Sequence, residues 1–203
     1  MLGRLSYKFF KQHPKDVSPL LLGKYIVREL EEGKVIVKIV ETEAYGGFED
    51  DACHVGRFGR TKRTETLFGS VGKAYIYSVH INTYCLNIVC HKENEAGGIL
   101  IRAAVPVEGL QIILKNLNKT NLKNVYSDLK QYHKFLNGPG KLCRALRIDK
   151  TLNSIDMIKS EELYLLEGEK IKESEIIKTP RINIPYAKKS KNWFWRFVIK
   201  DFA

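Results

Sequence analysis

The hydrophobic positions of this chain fall into short β-branched or alternating runs through its middle and one helical spacing beyond them. After the turn signal Glu31-Glu32-Gly33-Lys34, Val35-Ile36-Val37-Lys38-Ile39-Val40 predicts a strand apolar on both faces. That strand runs into Glu41-Thr42-Glu43-Ala44-Tyr45, where period-two geometry puts Glu41, Glu43 and Tyr45 on one face. A shorter strand is predicted from Lys24 to Val27, behind a short helix that starts near Asp16, Ser18 and Pro19 and closes at Gly23. Ala74–His80 and Tyr84–Val89 read as a hairpin around Ile81-Asn82-Thr83, and Gly98–Ala103 as a further strand. Past Pro106, the spacing of Leu110, Ile113, Leu114 and Leu117 is that of an amphipathic helix opened near Glu108 and fading into the Asn- and Lys-rich stretch 116–130. Gly46 to Gly72 has no apolar periodicity and is expected to be a long surface loop. No linker or repeat divides the sequence, so residues 1–203 are expected to form a single α+β domain on an antiparallel sheet.

Charge narrows the partner. Lys and Arg total 34 against 23 Asp and Glu, a net +11 that favours a polyanion, with nucleic acid ahead of a membrane surface. No apolar run approaches the ~18 residues of a bilayer span, and the N-terminus shows no signal-peptide core, so a cytoplasmic protein is expected. The four cysteines at 53, 85, 90 and 143 include no CxxC pair. A zinc site drawn from them with His54 and His91 matches no known spacing, and buried thiols acting as small apolar residues are the better reading.

Val55 to Thr64 carries Arg57, Arg60, Lys62 and Arg63 and no acid, with Gly and Thr that let backbone N–H groups approach phosphates. The stretch from Lys178 to Lys200 adds seven more Lys or Arg and the cluster Trp193-Phe194-Trp195-Arg196-Phe197. A basic run is often only a solvated face, and alternating aromatics are often a last strand on the core; the whole-chain charge tips both toward nucleic-acid contact. Tyr45, Tyr75, Tyr77 and Tyr84 with His54, His80 and Glu43 could sandwich a flat base and act on it, although β-propensity alone enriches tyrosine in strands.

Order and spacing go further. Ser18-Pro19-Leu20-Leu21-Leu22-Gly23-Lys24, the Val40–Tyr45 strand end, Asp50-Asp51-Ala52-Cys53-His54, Gly59-Arg60-Thr61 and Gly72–Tyr77 are followed by Cys85–Val89, Leu100–Ala103 and Gly138–Leu146. Pro180-Arg181-Ile182 and Trp195-Arg196-Phe197 close the series, and the most specific element is Glu41-Thr42-Glu43-Ala44-Tyr45 followed nine residues later by His54. This ordered set resembles the alkyladenine (3-methyladenine) DNA glycosylases. The resemblance implies a curved, mostly antiparallel sheet with surrounding helices and a protruding β-hairpin. It implies a monomer without metal or cofactor that flips alkylated or deaminated purines out of double-stranded DNA and hydrolyses the N-glycosidic bond.

Residue by residue, the resemblance makes Glu43 the carboxylate that activates water and Arg102 the arginine beside it. Tyr45 and Tyr77 match the base-stacking tyrosines, His54 the third wall, and Asn87 the side chain that crowds the 2-amino group of guanine. His80 and Ile81 stand where the family carries Tyr-Gly at the intercalating hairpin tip, a departure that changes the wedge and its turn. Arg57, Arg60, Lys62, Arg63 and Lys141 are the expected backbone contacts. Glu41 matches no catalytic position and is expected to form a strand-end ion pair or remain solvated. Residues 118–136 have no counterpart, and 147–177 match only loosely. No lysine falls in the matched pocket, so a water-based mechanism without lyase chemistry is implied. Two rivals are a non-catalytic nucleic-acid-binding module with stacking aromatics and a glycoside hydrolase using Glu41 with Glu43.

Overall fold

A computed structural model describes residues 2–120 and 128–203. In chain order its elements are α1 (Tyr7–Phe10), α2 (Pro14–Val17), β1 (Tyr25–Leu30), β2 (Gly33–Tyr45), α3 (His54–Phe58), β3 (Ala74–His80), β4 (Thr83–Val89) and β5 (Gly98–Glu108). They continue with α4 (Leu110–Asn116), α5 (His133–Leu136), α6 (Pro139–Ala145), β6 (Leu163–Leu166), β7 (Ile176–Thr179) and β8 (Arg196–Ile199). The strands pair antiparallel in the order β3-β4-β5-β2-β1-β6, with β8 joining β2 and β7. The α+β class expected from the sequence is the one observed.

β2 positions everything else. Its first half pairs with β1 through a two-residue turn closed by Gly33, whose φ of +129° a side chain would resist. Its second half lies between β5 and β8. Residues directly across a ladder share a face. Tyr75, Asn87, Leu100 and Glu43 therefore point one way, and Ile76, Leu86, Ile88, Ile99 and Ala44 the other. The second set joins Phe10, Leu21, Leu142 and Leu146 in the main core. The first set is left facing the 46–72 and 180–195 segments.

Three local expectations change. The stretch 46–72 is folded down rather than laid on the surface: it contains α3, and Cys53, Val55 and Leu67 build a second small core with Tyr75, Val89 and Ala96. β5 does not stop at Ala103 but continues through Pro106 to Glu108. The missing N–H of Pro106 is tolerated because β4 leaves β5 after Leu100, so among the described residues no second strand flanks β5 at Pro106. The helix expected near Asp16 is α2, which begins at Pro14 and is capped by the His13 ring, and Ser18–Leu21 is a 3-10 turn. The predicted helix at Leu110 is present and ends at Asn116; the Asn- and Lys-rich stretch that follows lies partly outside the described residues.

Candidate active site

Glu43 reaches its place through two cancelling irregularities. Ile39 faces Ala104, Glu41 faces Ala103 and Thr42 faces Ile101, so Val40 is one residue too many on β2 and Arg102 one too many on β5. Bulges of this kind re-aim side chains. Here Arg102 Nε donates to Glu41 Oε1 at 2.8 Å and stands 3.5 Å from Glu43 Oε1. Glu41 also accepts from Arg196 Nε at 2.6 Å, so it is a buried ion-pair partner rather than a solvated carboxylate. Glu41 is taken up by Arg102 and Arg196, which argues against its use as the second acid of a glycoside hydrolase.

The Glu43 side chain has no exposed surface. Its Oε2 accepts from the Tyr45 hydroxyl and its Oε1 from the Ile182 N–H, each at 2.8 Å. Burial is the largest influence and pushes its carboxyl above the usual range, while Arg102, the Ile182 N–H and Tyr45 pull it down. A carboxylate offers about four lone-pair sites. Acceptor capacity for a water therefore remains.

Tyr45, whose hydroxyl holds this acid, is also a wall of a pocket lined by His54, Tyr75, Tyr77, Asn87 and Tyr186, with Cys53 and Leu67 among its apolar walls. The His54 ring lies 4.6 Å from that of Tyr77, edge to face. Its Nδ1 is 2.8 Å from the Tyr75 hydroxyl, which leaves Nε2 as the ring nitrogen available to a ligand. Burial first, then Arg63 and Arg57, push His54 down to about 4, so its ring is neutral at physiological pH. Asn87 is fixed by donating to Tyr75 O at 3.1 Å.

The expected cations divide. Arg57 lies over the Tyr186 ring at 3.9 Å and Arg63 over Tyr77 at 5.4 Å, which places both at the rim of the pocket. Arg60 is tied to Glu65 by contacts of 3.0 and 2.6 Å. Lys62 is exposed on the same loop, and Lys141 is exposed on α6, whose Gly140 closely approaches Thr83 beside the hairpin turn. His80 and Ile81 are at the hairpin tip, away from the pocket, and Ile81 is 91% exposed. The four cysteines are free and buried, and burial raises their thiol pKa values. Among the described residues no group of three or more His, Cys, Asp or Glu is placed to hold a metal ion, and no helix is long and apolar enough to cross a membrane.

A strap supplies what local spacing missed. Arg181 forms a fully buried pair with Asp50, through contacts of 2.5 and 2.8 Å, and also donates to Ala44 O. That anchoring sets the neighbouring Ile182 N–H against Glu43. Asp51 then accepts from the N–H groups of Lys188, Lys189 and Ser190, which holds Tyr186 over the pocket mouth. Asp50 and Arg181 are 131 positions apart, so only their membership in separate motifs could have flagged them.

Together these features give an aromatic-lined pocket, with a buried acid hydrogen-bonded to one wall and arginines over two others. The chain belongs to the methylpurine-DNA glycosylase family, whose sequence profile matches residues 8–203. It is 41% identical over 201 residues to a Clostridium perfringens SM101 protein, covering 98% of this chain and 96% of that one. It is 39% identical over 199 residues to one from Natranaerobius thermophilus, with coverage of 98% and 96%. A Desulfitobacterium hafniense Y51 protein is 41% identical over 200 residues, with coverage of 98% and 97%. Each of these relatives bears the name "Putative 3-methyladenine DNA glycosylase".

Proposed function

We propose that this chain is a monofunctional glycosylase that excises alkylated or deaminated purines from duplex DNA and so starts base excision repair. The observation that carries this reading is the fully buried Glu43, held beside Arg102 by Ile182 and by Tyr45, a wall of the aromatic pocket. The damaged nucleotide leaves the stack at a cost of a few kcal/mol, lowest for weakly paired bases. Its base lies between Tyr45 and Tyr77 with His54 at its edge, and an electron-poor alkylated ring gains from these π-rich walls. Asn87, pinned to the backbone of Tyr75, excludes the 2-amino group of normal guanine.

As the C1′–N bond lengthens, its electron pair leaves with the base and positive charge develops on the sugar. The Glu43 carboxylate stabilises that charge and takes a proton from water, whose oxygen forms the new bond to C1′. Arg102 orients the water or the acid through the fork of its guanidinium. No lysine lines the pocket among the described residues, which supports water rather than an amine as nucleophile. Arg57, Arg60, Lys62, Arg63 and Lys141 hold the DNA backbone, and the hairpin tip fills the gap in the stack.

The test is base release from methylated and hypoxanthine-containing duplexes, with abasic sites revealed by mild alkali. Strand cutting only after alkali, lost in Glu43→Gln while binding is kept, is the expected result. Salt-sensitive binding without release from any substrate would instead make the chain a non-catalytic nucleic-acid-binding module.

A further inference from the structure

The hairpin of β3 and β4 has two faces, and the base pocket uses only one of them. Tyr77 and Cys85 sit opposite each other on the pocket side, whereas Tyr84, across from Ser78, turns to the other side. There the hairpin, the end of α4 and the end of α6 border an open groove that includes Asn82, Tyr84, Lys115, Asn118, Arg144 and Arg147. The groove begins at the tip itself, because Asn82 is in the turn.

The charges in this groove are unequally committed. Arg147 and Lys115 share Glu32, with contacts of 2.7 and 3.5 Å, and remain 44% and 61% exposed. Asp149, the acid in the lining, turns its carboxylate to the Thr151 N–H and hydroxyl. Arg144 is exposed and has no acidic partner among the described residues. Arg147 also holds the left-handed position that closes α6, at φ +47°, where glycine is the cheapest occupant. The groove is thus cationic, polar at its tip and open to solvent.

We propose that this groove seats the phosphodiester backbone of the undamaged strand, with Arg144 as its principal contact. The inference rests on the reading that the hairpin tip enters duplex DNA. A ribbon that parts a duplex has one strand on each side of it. The damaged strand must lie on the side of Tyr77, where the base is received, and the complementary strand then lies along the face of Tyr84. A chain of phosphates meets Arg144, Arg147 and Lys115 there, with the amides of Asn82 and Asn118 as neutral donors. Arg144 becomes a positioning residue that makes binding depend on a second strand without touching the reacting nucleotide.

The experiment measures Kd by fluorescence anisotropy on an uncleavable probe, a duplex bearing a tetrahydrofuran abasic-site analogue, and on the same labelled strand alone. Arg144→Glu should weaken duplex binding about tenfold and leave the single strand within about twofold, with a duplex salt slope smaller by about one. Lys11→Glu, an equal change of charge at an exposed position on α1's C-terminal side, should leave the ratio of the two constants unaltered. Should Arg144→Glu fail to fold, Arg144→Gln must move the ratio in the same direction. An unchanged duplex Kd, an equal loss on both probes, or an equal loss in the Lys11 control would each overturn the proposal. Binding of this probe requires no base release, so a failure of the catalytic reading leaves this measurement standing.

Discussion

The Tyr45 hydroxyl donates to Glu43 Oε2 at 2.8 Å, coupling a wall of the base pocket to the buried carboxylate behind it. Substituting Tyr45→Phe keeps the ring and removes only that bond. Because the bond favours the ionised acid, its loss raises the Glu43 pKa further, and the active, deprotonated fraction at a given pH falls. Single-turnover excision should drop about tenfold at neutral pH, the scale of a hydrogen bond to a charged group. The acidic limb of the rate profile should also move to higher pH; an unmoved limb would show that the hydroxyl does not act on Glu43.

His54 is held neutral by burial and by two nearby arginines, and titrates near 4. Removing Arg63 in Arg63→Ala takes away one of the forces that lower this value, so the ring should titrate at higher pH than in the parent protein. Histidine ring resonances followed by NMR across pH 3–8, an interval of about five units around the usual value near 6.5, read this directly. A His54 that titrates at the same pH with and without Arg63 would contradict the assignment of the rim.

The Arg181–Asp50 pair is fully buried, so removing one partner leaves an uncompensated charge. Arg181→Leu should cost about 3–5 kcal/mol in urea unfolding. The double variant Asp50→Leu, Arg181→Leu should lose less than the two single losses summed. Strict additivity would mean that the two side chains do not depend on each other.

Ile81 is the most exposed large apolar side chain on the hairpin, and Asn82 beside it takes φ +54° to make the turn. Ile81→Ala should slow excision of a paired lesion several-fold and leave the same lesion in a single strand nearly unaffected, since only the duplex has a gap to fill. A larger effect from His80→Ala would move the wedge to the imidazole.

Much of this is legible in the sequence. β-branched runs announced β2, and the runs at 74–80 and 84–89 announced the hairpin, but Asn87 joins the face of Tyr75 only through the ladder register. Their meeting with Glu43 needed the strand order, which no local pattern carries. The 46–72 stretch misled because Cys53, Val55 and Leu67 are apolar positions without a period; they bury through contacts with distant Tyr75 and Val89. Arg181 misled for another reason: a basic segment reads as solvated, and an arginine is seldom fully buried unless its acid arrives from elsewhere in the chain. Pro106 read as a strand's end because its missing N–H matters only when a neighbour is present to accept it.

The extra residues Val40 and Arg102 stand on facing strands one step apart, so the ladder beyond them returns to the frame it had before. Deleting Val40 alone would slide the whole of β2 on its N-terminal side by one position and exchange its inward and outward residues. Deleting both would restore an even ladder from Val37 to Tyr45 and remove the guanidinium from beside the carboxylates, leaving a sound sheet with no chemistry. Insertions and deletions in this segment are therefore constrained in pairs. Anyone grafting this strand pair onto another scaffold must transplant both irregularities together, because each is the correction for the other.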